Sequence, residues 1–319
     1  MSLNVRNLEV TYVLNKFTNV YAINNISFDL EPGDVIGIIG ETGSGKTTIA
    51  NAIMRALPES AIVNGSILLD NLDLLKMNYK EFRKKIAWEK ISIIPQYSMN
   101  SLNPIKRVGV QLVRILQEHE DISNEDAINK ILDLFKQVNL SEDILFKYPD
   151  ELSGGQKQRV VIVSALLLNP ELVIADEPTT ALDVINQARV INLLKEKVIN
   201  QNRIVIYITH DIAVVAGLAN KIMTLYGGKI MEIGDIKEIF KEPLNPYTKG
   251  LLASVPDIEN GKPKAISYIP GDPINQTIKP KGCPFYSRCS LAMDVCKESF
   301  PEGVKIGNRI VYCHAVSKK

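Results

Sequence analysis

Short apolar runs set between longer mixed stretches run through the first two thirds of the chain. Val35–Ile39, Ile91–Ile94, residues 172–175 and Ile204–Ile208 are nearly continuous in aliphatic residues. A strand covered on both faces has no polar side to present, so these runs predict strands of a parallel or mixed sheet buried between helices. Residues 3–13 and 21–30 alternate apolar with polar positions, which predicts antiparallel strands with one face on a core. From Lys106 to Tyr148 the period lengthens. Ile128, Ile131, Leu132 and Phe135 fall at i, i+3, i+4 and i+7, a helical stripe, and Ser123 with Asp126 resembles a capping box at its start. No internal repeat or heptad array interrupts the pattern. The class is α/β, with an antiparallel β subdomain and an α-helical subdomain at about residues 97–165.

Composition changes this picture at one place. Overall, 45% apolar and 23% charged residues in 319 are ordinary globular values, and a net charge of +1 makes a nucleic-acid partner the minority reading. The longest apolar runs, such as 160–168, fall short of the roughly 18–20 residues of a membrane-spanning helix, and MSLNVRNLEV lacks the features of a secretory signal. A cytoplasmic protein is expected, reaching any membrane through a docked partner. After Phe240, however, nine of the sixteen prolines appear, and all four cysteines follow at Cys283, Cys289, Cys296 and Cys313. That shift divides the chain into a body, 1–255, and a proline-rich extension, 256–319.

Chemistry is concentrated in three segments of the body. Gly40-Glu41-Thr42-Gly43-Ser44-Gly45-Lys46-Thr47-Thr48 matches G-x-x-x-x-G-K-[ST] between a strand and a helix. Glycines let backbone N–H groups turn toward phosphate oxygens, and the helix start adds partial positive charge. Lys46 then reaches the β- and γ-phosphates of ATP, and the Thr47 hydroxyl binds Mg²⁺. A glycine-rich turn holding nothing is the bland alternative, and the full motif makes it remote. The second segment is the apolar strand that ends in Asp176 and Glu177. It delivers one carboxylate to the Mg²⁺ shell and the next to the attacking water, unless both are simply solvated. Leu152-Ser153-Gly154-Gly155-Gln156, before a helix over 156–168, is either a plain helix cap or a second anion site. A second anion site points to a nucleotide gripped by two subunits.

The ordered series resembles the ABC ATPases from Leu3 to about Leu252, which implies a P-loop NTPase with a RecA-like core plus a small cysteine-containing C-terminal extension. By that resemblance Tyr12 stacks on adenine and Gln96 links Mg²⁺ and water to the docking groove of a permease. Ala181-Leu182-Asp183 crosses the dimer interface, and His210 contacts the γ-phosphate. Three further segments are similar to the dipeptide/oligopeptide (and nickel) importer branch: Ser101-Leu102-Asn103-Pro104, Asn245-Pro246-Tyr247-Thr248 with Leu251-Leu252, and Ile269-Pro270-Gly271-Asp272-Pro273. The implied partners are a second ATPase subunit (a copy or a paralogue), two integral-membrane permease subunits and an extracytoplasmic solute-binding protein. The implied place is the cytoplasmic face of the cell membrane.

The cysteines, separated by five, six and sixteen residues, lack the close pairs of zinc sites. Similar tails in this branch are thought to hold a [4Fe–4S] cluster, and four reduced thiols in a small core are the remaining reading. Because the ATPase motifs are complete upstream, a cluster in the tail is expected to leave the phosphate chemistry untouched. Two other functions stay open: a soluble ABC ATPase acting on nucleic acid or ribosomes, and a regulatory module without turnover. About a hundred residues between Lys46 and Ser153, without heptads, leave no room for the long coiled coil of the first. Retention of Glu177, Gln96, Asp183 and His210 weighs against the second.

Overall fold

The computed structural model describes residues 1–96, 101–180, 182–254, 258–259, 262–263 and 268–316. Two units form, one from Met1, Glu31–Gly33 and Lys76–Tyr207, the other from Ser2–Leu30, Asp34–Leu75 and Ile208–Lys319.

In the second unit the alternating segments lengthen into Leu3–Asn15 and Thr18–Leu30, the centre of an antiparallel sheet completed by Ala61–Leu69 and Leu72–Asp73. Leu3, Val5, Leu8 and Val10 are all buried, although strict alternation turns Leu8 outward. A register shift between Val5 and Leu8, with Asn7 at φ 48°, inserts the residue that returns Leu8 to the core. A second sheet orders Gly303–Ile306, Arg309–Tyr312, Lys229–Asp235, Lys221–Tyr226 and Val35–Ile39. The last pair is parallel and the others antiparallel. Two strands of the cysteine-bearing region thus extend the sheet that carries the phosphate loop.

Buried polar groups fasten that extension. Glu232 is fully buried, accepts hydrogen bonds from the Leu244 and Asn245 N–H groups, and lies 3.6 Å from Arg309. Asn245 Nδ2 donates to Met231 O and to Tyr312 O, joining body and tail through one side chain. Beside them Tyr226, Tyr247 and Phe285 meet with ring centroids 4.8–5.4 Å apart. Edge-to-face contacts of this kind add to the burial of three large rings.

In the first unit Ile204–Ile208, Leu172–Asp176 and Ile91–Ile94 are neighbours in that order, the last two parallel, and all but Ser92 are apolar until the final Asp176. Helices Val108–His119, Asn124–Gln137 and Gly154–Leu166 pack around Leu112, Leu116, Ile131, Phe135, Val160 and Val163. Ser123 Oγ accepts from the Asp126 N–H as expected, but the Asp126 carboxylate takes the Ser123 hydroxyl proton rather than its backbone N–H. The stripe on the middle helix is rotated from the expected one. Ala127, Ile131 and Phe135 are fully buried in the helical core while Ile128 is 39% exposed. The 255/256 boundary, residues 97–100 and Ala181 lie outside the described residues. Among the described residues no helix is long and apolar enough to cross a membrane.

Candidate active site

The buried strand Val35–Ile39 runs into residues 40–45 and the helix Lys46–Ile53. Gly45, the residue before the helix, sits at φ 103°, and a Cβ there would stand 2.5 Å from Ala22 O. Only glycine makes that turn. Lys46 Nζ donates to Gly40 O at 2.8 Å and Glu41 O at 3.0 Å, so the ammonium is held against the loop itself. No side chain caps the helix start, which leaves that end to an anion. Thr47 is half-buried. Buried Thr48 receives a 3.2 Å hydrogen bond from Tyr12 Oη, which places the expected adenine-stacking ring beside this helix. Ser44 is buried, and Glu41, Thr42, Gly43 and Ser44 line one side of a cavity of about 220 Å³. His210 is exposed on a turn fixed by its neighbours. Asp211 N–H donates to Thr209 Oγ1, Asp211 Oδ1 caps Ile212–Leu218, and Thr209 N–H donates to Ile38 O in the strand before the phosphate loop.

In the first unit Asp176 ends its strand 2% exposed, and Glu177 follows at φ 45°. A left-handed glutamate is costly and turns its carboxylate away from the strand direction. Gln96 Nε2 and Thr180 Oγ1 both donate to Glu177 Oε2, at 3.0 and 2.9 Å. Ser153 caps the signature helix in a full capping box: Gln156 N–H donates to Ser153 Oγ at 3.3 Å and Ser153 N–H to Gln156 Oε1 at 2.9 Å. The helix therefore begins at Gly154, two residues earlier than expected, because extended Ser153 lets both glycines take the first turn. The cap occupies a lone pair of Oγ and leaves its proton for an acceptor. Asp183 caps Val184–Lys197 by accepting the Asn186 N–H and Nδ2–H, and those bonds hold its carboxyl below the ordinary range. A Cβ on Gly155 would stand 3.3 Å from Asn186 Oδ1, so Asn186 spans cap and signature. Thr180 and Asn186 have no motif signal apart from their offsets, three residues after Glu177 and after Asp183.

The tail also reaches the phosphate loop at Arg288, whose Nη1 lies 2.8 Å from Glu41 Oε2. Nearby, Cys283 N–H donates to Cys296 O, and Leu291 N–H to Cys289 Sγ at 3.4 Å. Burial pushes the Cys283 thiol up to about 12; the Phe285 N–H opposes this, and the other three cysteines add to it. Burial also raises Cys289, with Cys313 and Cys296 contributing. Among the described residues no three or more His, Cys, Asp or Glu side chains are grouped to hold a metal ion.

Residues 23–180 match the ABC transporter family, and residues 231–296 match the oligopeptide/dipeptide transporter C-terminal region. The chain is 41% identical to the oligopeptide transport ATP-binding protein OppD of Escherichia coli (strain K12), over 94% of this chain and 88% of that protein. The chain belongs to the ABC transporter family. This ABC ATPase is also 40% identical to the dipeptide transport ATP-binding protein DppD of Caldanaerobacter subterraneus subsp. tengcongensis, over 98% of this chain and 96% of that one. Among solved structures the ABC ATPase is similar to the cassette MJ0796, a dimer bound to ADP and Pi. The TM-score is 0.65 at 28% identity, covering 73% of this chain and 98% of that one. The second family match takes in Cys283, Cys289 and Cys296 and ends before Cys313.

Proposed function

We propose that this ABC ATPase hydrolyses MgATP to energise uptake of peptides or a related solute. It docks at the cytoplasmic face of the membrane on two permease subunits, which a solute-binding protein serves from outside. The observation that carries the reading is Glu177, turned out of its strand and gripped by Gln96 and Thr180 on one oxygen. Relatives named for oligopeptide and dipeptide transport support the substrate class.

Phosphoryl transfer needs positioning and charge stabilisation more than covalent chemistry. Lys46 pairs with the β- and γ-phosphates, and the N–H groups of the phosphate loop cradle them. The Thr47 hydroxyl, the Asp176 carboxylate and the Gln96 amide oxygen are hard donors that suit Mg²⁺. Bound there, the ion neutralises charge on the β- and γ-phosphates. Glu177 accepts the proton of the attacking water, and His210 orients that water against the γ-phosphate. Ser153 donates its hydroxyl proton to a nucleotide on the partner ATPase, with the N–H groups of Gly154 and Gly155 beside it, while Asp183 sets the helix next to them.

We take residues 1–255 as the ATPase domain and 256–319 as an extension holding a [4Fe–4S] cluster. Four cysteines without a disulfide, buried or half-buried and gathered in one extension, support the cluster. When bound it contributes folding energy to the tail.

Glu177→Gln keeps the shape of the side chain and removes its basicity. ATP binding should persist while turnover falls by at least about a hundred-fold. A variant working near the wild-type rate would mean that another group activates the water. A wild-type chain that binds ATP without turnover in its assembled complex would instead be a regulatory module.

A further inference from the structure

Arg288 stands one residue before Cys289 and has four partners. Nη1 donates to Glu41 Oε2 at 2.8 Å and to Tyr226 Oη at 3.0 Å, Nε to Pro270 O at 2.8 Å, and Nη2 to Ile269 O at 3.1 Å. The arginine side chain is 6% exposed and that of Glu41 23%, so water screens their attraction weakly. Only a planar guanidinium reaches a carboxylate and two carbonyls together; an ammonium is a single point of charge.

Glu41 is the second residue of the phosphate loop, and the C-terminal region holds it twice. Its carboxylate lies in the Arg288 fork. Its N–H donates to Tyr247 Oη at 3.0 Å, from the fully buried tyrosine of the helix Pro246–Ala253. On the other side its carbonyl receives Lys46 Nζ at 3.0 Å. The loop is further bounded by the tail where Tyr21 N–H donates to Gln276 O, and Ile274, Asn275 and Gln276 close the cavity beside Thr42 and Gly43. A phosphate cradle works through the direction of its N–H groups, and a loop already fixed in that direction loses less freedom when ATP arrives.

We propose that Arg288 is a positioning residue of the nucleotide site: through Glu41 it fixes the phosphate loop in the conformation that receives ATP. The inference rests on reading that loop as an ATP site. It makes the cysteine-bearing region part of the nucleotide machinery, and it gives the tyrosine of the Pro-Tyr-Thr segment a task in the same assembly.

The test measures equilibrium binding of a fluorescent ATP analogue and steady-state turnover on the full-length chain in its complex. The variants are Arg288→Ala, Arg288→Lys, Glu41→Gln and Arg288→Ala combined with Glu41→Gln. Each alanine or glutamine single variant should raise Kd and KM about ten-fold, with kcat changed far less, as loss of one charge-assisted contact to the loop implies. The double variant should be no weaker than either single one, since both remove the same link. Lysine should recover part of the affinity. Arg309→Ala loosens the tail at the sheet edge instead, and should lower the melting temperature without raising KM. Unchanged affinity in Arg288→Ala, additive losses in the double variant, or an equal rise of KM in Arg309→Ala at matched melting temperature would each make Arg288 merely structural. A wild-type chain that fails to bind ATP removes the ATP-site reading and the clamp with it; one that binds while Arg288→Ala binds equally well removes the clamp alone.

Discussion

Glu177 occupies a backbone conformation that a glutamate does not choose, and two donors on its Oε2 hold its carboxylate in place there. At this scale the motif residues are legible in the sequence, because each motif is local: Lys46 with its glycines, Asp176 with Glu177, Ser153 with Gln156. What escapes is any partner chosen by the tertiary fold. Arg288 lies 247 positions from Glu41, and no periodicity connects them. Thr180 escapes for a different reason: a hydroxyl three residues beyond a carboxylate is common in any sequence, and only the left-handed turn at Glu177 aims the two together. Thr180→Ala should leave ATP affinity intact and lower kcat about ten-fold, since it removes one of two groups that orient the base. A rise in KM with kcat unchanged would assign Thr180 to binding instead.

Elements were foreseen in kind more securely than in extent. Buried strands announce themselves by unbroken apolar runs, whereas Leu3–Asn15 runs past its alternating segment because Asn15 still pairs with Thr18 at the hairpin turn. The helix Asn124–Gln137 was legible, but its buried face was not, since alanine fits either a core or a surface and only packing decides. The strand Lys229–Asp235 carries a pH signature of its own. Burial raises the Glu232 carboxyl above its ordinary value, against the pull of the Asn245 and Leu244 N–H groups and Arg309. The folded state therefore binds more protons at this position than the unfolded one. Its contribution is fully present below an unfolded value of about 4.3 and is lost as pH rises through the folded value. Glu232→Gln has no such slope. Its stability relative to the wild type, from urea midpoints at successive pH values, should improve as pH rises from about 4 to 7. A difference independent of pH would mean that the hydrogen bonds and Arg309 cancel the effect of burial, leaving the carboxyl at its unfolded value.

For the whole molecule, the change of composition after Phe240 locates the specialised region without showing what it pairs with. The sequence suggests an appendage with little core of its own. In the fold its final hairpin is part of a sheet and its arginines reach into the body, because Arg309 and Val311 pair with a strand whose apolar pattern gives no sign of an unfilled edge. Metal content tests the remaining expectation. Protein purified without oxygen should be brown, with iron and sulfide near about four each per chain. Zinc at about one per chain without iron would leave a structural metal site and no cluster.

The hairpin Gly303–Tyr312 also sets the order in which the molecule can be finished. Synthesis runs from the amino end, so the phosphate loop emerges before the strands that extend its sheet and before the arginine that grips Glu41. Until then Lys229–Asp235 is an open edge with buried-type residues on both faces, a template for pairing with another chain. A chain cut before Gly303 would leave Lys229–Asp235 unpaired along that edge. Such a product should aggregate or be degraded sooner than one that carries Arg309–Tyr312, so that pairing protects the edge.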